Sequence, residues 1–238
     1  MQMRWTDWKP FYDMIVEMLS LDPARDREST RILTQLLEEI NPSPLLTRLE
    51  RIIRGRTVVV CGSGPSLHNH LKTLENDLDV SKMVFMAADG AITALQEENI
   101  GCAILVTDLD GPYESIIKGV DDGALTIVHG HGDNIPVIER VVPDLGPVLG
   151  STQVEPTKRA FLWGGFTDGD RACYVASHYA PKRIVLAGMD FGEMVGRWSK
   201  PGHENHYDAS ERKKTKLRIA EKLIRSLLQT TSIDYTMM

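Results

Sequence analysis

Cysteine is scarce in this chain. The 238 residues contain only Cys61, Cys102 and Cys173, none spaced as CxxC and each in or beside an apolar segment. That excludes a disulfide framework and a cysteine-rich zinc site, and leads us to expect a reducing, cytoplasmic setting. Long apolar runs are also missing, and no segment approaches the roughly 20 apolar residues of a membrane span. The start, MQMRWTDWKPFYDMIVEML, mixes Asp and Lys into its apolar positions, so neither a signal peptide nor a membrane partner is expected. Basic residues are in deficit, 27 Lys and Arg against 33 Asp and Glu, for a formal net charge of -6. Bulk electrostatics therefore argue against a nucleic-acid partner. No internal repeat or low-complexity tract is present.

What remains is an ordinary globular composition, long enough for one large α/β domain. Residues 1–54 read as an N-terminal helical segment. Trp8, Phe11, Tyr12, Ile15 and Leu19 recur at steps of three and four, as do Ile32, Leu33, Leu36, Leu37 and Ile40. Asp22-Pro23 marks a helix start, and Asn41-Pro42-Ser43-Pro44 a break. Its apolar face over Trp5–Leu19 makes a homodimer conceivable. From residue 55 to 238 the grammar changes to short apolar runs: TVVVCG, MVFMAAD, CAILVTD, LTIVHG, RAFLWGG and RIVLAGMD. Such runs suit strands buried on both faces. Helix-sized stretches between them, such as Ala91–Asn99, Asp133–Val141 and Asp168–Ala180, imply a doubly wound, mostly parallel sheet. Ser210–Gln229 reads as a closing amphipathic helix, its Lys-rich start a solvated face.

Ligands bind outside the carboxyl ends of such strands, and nearly every run ends in polar chemistry. GSGPS brings Gly62, Ser63, Gly64 and Ser66 to a strand-to-helix turn, where backbone N–H groups can meet a phosphate or Ser66 can simply cap a helix. ADGA brings Asp89 and Gly90. TDLDG brings Asp108 and Asp110, which share a face if the stretch is extended. Two such carboxylates repel unless a cation lies between them, and Mg²⁺ with phosphate oxygens suits the pair. HGHGDN supplies His129, His131, Asp133 and Asn134, too thin a set for zinc; Asp133 also reads as a helix cap. GGFTDGDR supplies Asp168, Asp170 and Arg171, with Thr167 or Asp168 capping the helix. The loop Gly196–Tyr207 carries Arg197, Lys200, His203 and His206 and has the length of a lid.

The series from the Gly-rich turn through ADGA, TDLDG, HGHGDN and GG-x-TDGDRA to GMDFG resembles the archaeal-type 6-hydroxymethyl-7,8-dihydropterin pyrophosphokinase family, over roughly Arg56 to Leu228. That family is related in fold to the catalytic domain of thiamine pyrophosphokinases, which is Rossmann-like. The resemblance implies an enzyme that transfers diphosphate from ATP to the hydroxymethyl group of a reduced pterin and releases AMP. It implies Mg²⁺ on Asp108 and Asp110 with Asp89, and nucleotide or phosphate contacts from Gly62, Ser63, Gly64, Ser66, Gly90, His129, Asn134 and Arg171. Asp168 and Asp170 would hold a second metal or orient the acceptor hydroxyl. A thiamine-type enzyme and a metal-dependent nucleotide-sugar glycosyltransferase are the alternatives. The ADGA and TDLDG endings depart from the thiamine pattern, and that family's β-sandwich has no counterpart among the apolar runs.

Overall fold

The computed structural model describes residues 3–76 and 79–238; residues 1–2, at the start of the expected N-terminal segment, and 77–78 lie outside it. Three helices come first: α1 (Trp5–Leu19), α2 (Pro23–Leu36) and α3 (Pro42–Ile53). Asp22 caps α2 by accepting the Ala24 N–H at 2.9 Å, with Pro23 at the first helical position. The Asn41-Pro42 break is equally a helix start, since the Asn41 side chain accepts from Ser43 N and α3 follows directly.

Strands and helices then alternate through β1 (Thr57–Cys61), α4 (Leu67–Glu75), β2 (Val84–Ala88), α5 (Ala91–Glu97), β3 (Ile104–Thr107), α6 (Tyr113–Asp121), β4 (Leu125–His129) and α7 (Ile135–Val141). β5 (Leu149–Ser151), β6 (Ala160–Phe161), α8 (Asp168–His178) and β7 (Arg183–Ala187) follow, then β8 (Met194–Val195), β9 (Tyr207–Asp208), α9 (Glu211–Thr230) and β10 (Asp234–Met237). The eight-stranded sheet runs β10-β7-β1-β2-β3-β4-β5-β6 with parallel pairings throughout. β8 and β9 pair antiparallel as a separate ribbon at the base of the expected Gly196–Tyr207 lid.

Alternate side chains of each strand enter opposite cores. Val58, Val60, Met86 and Val106 pack with α1, α3, α8 and α9. Val59, Cys61, Phe85 and Leu105 pack with α2, α4, α5, α6 and α7. The sheet is therefore covered on both faces, as its uninterrupted apolar strands require. The helices before residue 54 share these cores: Trp8, Tyr12 and Ile15 are buried on one face and Leu33 and Leu37 on the other. No helix among the described residues is long and apolar enough to cross a membrane.

Strand order fixes where a ligand can sit. From β1 the chain winds outward to β6, then returns to place β7 on the other side of β1. Connections after β1 and β7 thus depart in opposite directions, opening a crevice beyond their carboxyl ends.

Candidate active site

A cavity of about 350 Å³ opens at this edge of the sheet. Its walls include Gly62, Ser63 and Gly64 after β1, Asp89 after β2, Asp108 and Asp110 after β3, and His129 and His131 at the end of β4. Asp168 and Asp170 come from the start of α8, and Gly188–Phe191 from the turn after β7.

The acids divide into two sets. Asp89, Asp108 and Asp168 each offer an oxygen within 4.8 Å of the others. Asp110 stands beside them, ion-paired to Lys200. Asp168 thus joins Asp89 and Asp108 in the tightest acidic cluster, and Asp110, expected together with those two, stands at its margin. The reason is local backbone geometry. Leu109 has φ 67° and a buried side chain, so the chain turns between the two acids instead of extending, although their carboxylates remain neighbours. Left-handed backbone costs a non-glycine residue about 1–2 kcal/mol, offset here by burial of the leucine in the second core. Asp89 is also left-handed, at φ 46°. Its carboxylate lies against Gly111, where a Cβ would crowd it, and accepts the Thr107 hydroxyl at 2.6 Å.

Electrostatics follow from this crowding. Burial, then the charges of Asp108 and Asp110, push the Asp89 carboxyl up to about 8. Burial and the same neighbours, with Asp89, push Asp168 well above the usual carboxylate range, and burial and Asp108 raise Asp110. Burial opposes ionisation of Asp108 as well, yet the His131 ring, 3.3 Å from its carboxylate, holds it well below the ordinary range. No Lys or Arg side chain bridges Asp89, Asp108 or Asp168 among the described residues. Three hard oxygen donors that resist sharing negative charge fit a divalent ion such as Mg²⁺.

Asp170 has a different task. It accepts Phe166 N at 2.6 Å, Thr167 N at 2.7 Å and the Thr167 hydroxyl, which locks the turn leading into α8. Three donors are engaged on its carboxylate, and Thr167 is the cap residue. Asn134 is likewise spent: its amide donates to Asp108 O at 2.9 Å and His129 O at 2.8 Å and accepts His131 N at 2.9 Å. It clamps the ends of β3 and β4 together, lies off the cavity wall, and replaces Asp133 as the residue that begins α7. Arg171 is fully buried behind the wall, its Nη2 donating to Phe166 O and lying 2.9 Å from His129 Nε2. Burial, then Arg171, holds His129 well below its ordinary range, so a neutral ring accepts from the guanidinium.

The Gly-rich turn is also less free than its sequence suggests. Gly62 N donates to Ala187 O, Gly64 N to Gly188 O, and Ser66 N to Asp190 Oδ2 at 2.9 Å. The Ser66 hydroxyl binds the same carboxylate at 2.7 Å, so Asp190 occupies the start of α4 where a phosphate was expected. Ser66 does not line the cavity, and the glycines do so as bare backbone. Gly90 serves a protein contact, since a Cβ there would collide with the Trp198 carbonyl. Residues 194–200 are thereby seated over the strand ends. Within the Gly196–Tyr207 loop only Lys200 reaches the acids: Arg197 pairs with Glu97 at 2.7 Å, His206 Nδ1 accepts Arg197 N, and His203 stacks on Tyr207.

Two walls escaped sequence reasoning. Ser20, Leu21, Asp22, Arg25 and Asp26 come from the α1–α2 junction, and Arg212, Lys213, Lys216, Leu217 and Ala220 from α9. Asp26 is buried and accepts the Tyr12 hydroxyl at 2.6 Å, Gly132 N at 2.7 Å and Gln153 Nε2 at 2.8 Å. Its place on the face of α2 that Leu33 buries, seven residues earlier, was the one available signal. The start of α9, expected to be solvated, turns two of its lysines inward.

A family model described as 6-hydroxymethylpterin diphosphokinase MptE-like matches residues 31–196. Three similar proteins carry the name 6-hydroxymethyl-7,8-dihydropterin pyrophosphokinase. That of Methanocaldococcus jannaschii is 39% identical over 236 residues, 96% of this chain and 98% of the relative. That of Methanothermobacter thermautotrophicus is 41% identical over 219 residues, covering 91% and 92%. The Pyrococcus furiosus protein is 39% identical over 222 residues, covering 93% of each. Matches of that extent, on a chain whose strand ends carry the acids described above, place it plainly: it belongs to the 6-hydroxymethylpterin diphosphokinase MptE-like family.

Proposed function

We propose that this chain is a Mg²⁺-dependent pyrophosphokinase that moves the β,γ-diphosphate of ATP onto the hydroxymethyl group of 6-hydroxymethyl-7,8-dihydropterin, leaving AMP. Such a product belongs to folate- or methanopterin-type pterin synthesis. The observation that carries the reading is the convergence of Asp89, Asp108 and Asp168 in a cavity at the sheet's carboxyl edge, in a member of a family named for that acceptor.

In the reaction the pterin hydroxyl oxygen bonds to the β-phosphorus, the bond from that phosphorus to the oxygen bridging to the α-phosphate breaks, and the hydroxyl proton is released. Such chemistry rests on positioning and on charge neutralisation more than on covalent catalysis. Mg²⁺, held by Asp89, Asp108 and Asp168, supplies neutralisation of the phosphate charge. The Thr107 hydroxyl and the His131 ring aim the Asp89 and Asp108 carboxylates. Lys200 keeps Asp110 to one side. The nucleotide occupies the β1/β7 crevice along Gly62–Gly64 and Gly188–Phe191.

The test is incubation with ATP and MgCl₂ plus the reduced pterin, thiamine or a nucleotide-sugar panel, with nucleotide products separated by chromatography. AMP should form only with the pterin. AMP formed only with thiamine overturns the acceptor assignment, and ADP overturns diphosphate transfer.

A further inference from the structure

The cavity is acidic on one side and cationic on another. Lys213 and Lys216, three residues apart on α9, lie on one helical face and line the same cavity as Asp89, Asp108 and Asp168. Lys214, between them, turns outward and pairs with Glu193 at 2.8 Å and Glu211 at 3.0 Å. Neither Lys213 nor Lys216 has an ion-pair partner among the described residues. Lys216 lies 5.9 Å from the centre of the Phe166 ring, itself a cavity residue. Burial, and then the charges of Lys200 and Lys216, pull Lys213 below the ordinary lysine range against the opposing attraction of Asp110 and Asp168. Two partly buried ammonium groups held near a third are unfavourable unless an anion joins them.

We propose that Lys213 and Lys216 form an anion-binding wall whose ligand is the phosphate chain of the nucleotide donor. The proposal rests on the pyrophosphokinase reading and deepens it. The chain of phosphates lies between two opposite charges, metal-bearing carboxylates on one side and α9 on the other. Each lysine is a phosphate-binding residue, and α9 contributes to donor affinity from outside the strand-end motifs.

The experiment titrates inorganic triphosphate, without Mg²⁺, into wild type, K213Q, K216Q and the double variant by calorimetry, and measures the KM for ATP with the reduced pterin. Removing each lysine should weaken triphosphate binding roughly tenfold, the scale of one charge-assisted hydrogen bond, and raise the KM for ATP more than that for the pterin. K213R should restore most of the affinity. K213Q should melt no lower than wild type, because burial and the repulsion of Lys200 and Lys216 outweigh the attraction of Asp110 and Asp168, and no ion pair is lost. Triphosphate affinity and KM for ATP unchanged in the double variant overturn the wall, even if the enzyme makes AMP. Lysine-dependent triphosphate binding in a protein that releases no AMP from ATP with any pterin supports the wall and sinks the pyrophosphokinase reading instead.

Discussion

Replacing Asp89 with Asn should stabilise the metal-free protein while removing its affinity for Mg²⁺. The substitution keeps the shape, Asn tolerates left-handed backbone, and its carbonyl can still accept the Thr107 hydroxyl. What changes is charge. Burial and the neighbouring acids hold the wild-type Asp89 carboxyl up to about 8, far above its value in an unfolded chain. The folded state therefore binds the extra proton. Its contribution is complete below about pH 4 and is lost as pH rises towards 8. At about 1.4 kcal/mol per unit, that loss is on the order of 5 kcal/mol by pH 8, and the Asn variant escapes it. For a chain of this size the melting temperatures should diverge by roughly 10 °C at pH 8 and coincide near pH 4.5. Thermal unfolding from pH 4.5 to 8.5 in EDTA reads this directly. Saturating MgCl₂ should then raise wild type but not the variant. A difference that stays flat with pH, or a wild type that is the more stable form at pH 8 in EDTA, refutes the electrostatic account of the site.

The neighbouring acids should separate by assay. Asp168→Asn should abolish AMP formation without lowering the melting temperature, whereas Asp170→Asn should cost about 2–3 kcal/mol by unpairing the donors around it, seen as a lower denaturant midpoint. Lys200→Met removes the cation that now serves Asp110, so Mg²⁺ binding measured by calorimetry without nucleotide should tighten several-fold; unchanged affinity would show that Lys200 does not compete. Gly90→Ala forces a methyl group into the Trp198 carbonyl, which should lift residues 194–200, speed proteolysis within 196–207 and raise the KM for ATP.

The strands most legible in the sequence are the central ones, because β1, β2, β3, β4 and β7 are buried on both faces and leave uninterrupted apolar runs. Of the weaker edges, only β6 left an apolar run. β5 reads Leu-Gly-Ser, β6 keeps only two residues of its apolar run, and β10 is a largely exposed strand whose only neighbour is β7. In the site, Asp89 and Asp108 could be read because each directly follows a strand. Asp168 and Asp170 could be located but not told apart, since only the three donors converging on Asp170 reveal which one is spent. Nothing local in Lys213 and Lys216 distinguishes them from Lys214. Their direction depends on how α9 packs against α1 and α8, and that is set by residues more than 30 positions away. The turn in Leu109 is a similar case, decided by a leucine's burial in place of the polar rule for its neighbours.

Arg212 Nη1 donates to Leu19 O at 2.9 Å, tying the last long helix to the end of the first. Residues 20–26 and 212–220 are thus brought to the same cavity from opposite ends of the chain. During synthesis every strand-end acid is made well before α9, so a nascent chain can carry Asp89, Asp108 and Asp168 in a cleft that still lacks a side. Competence to hold a substrate therefore arrives late and in one step, when the final helix closes against the first.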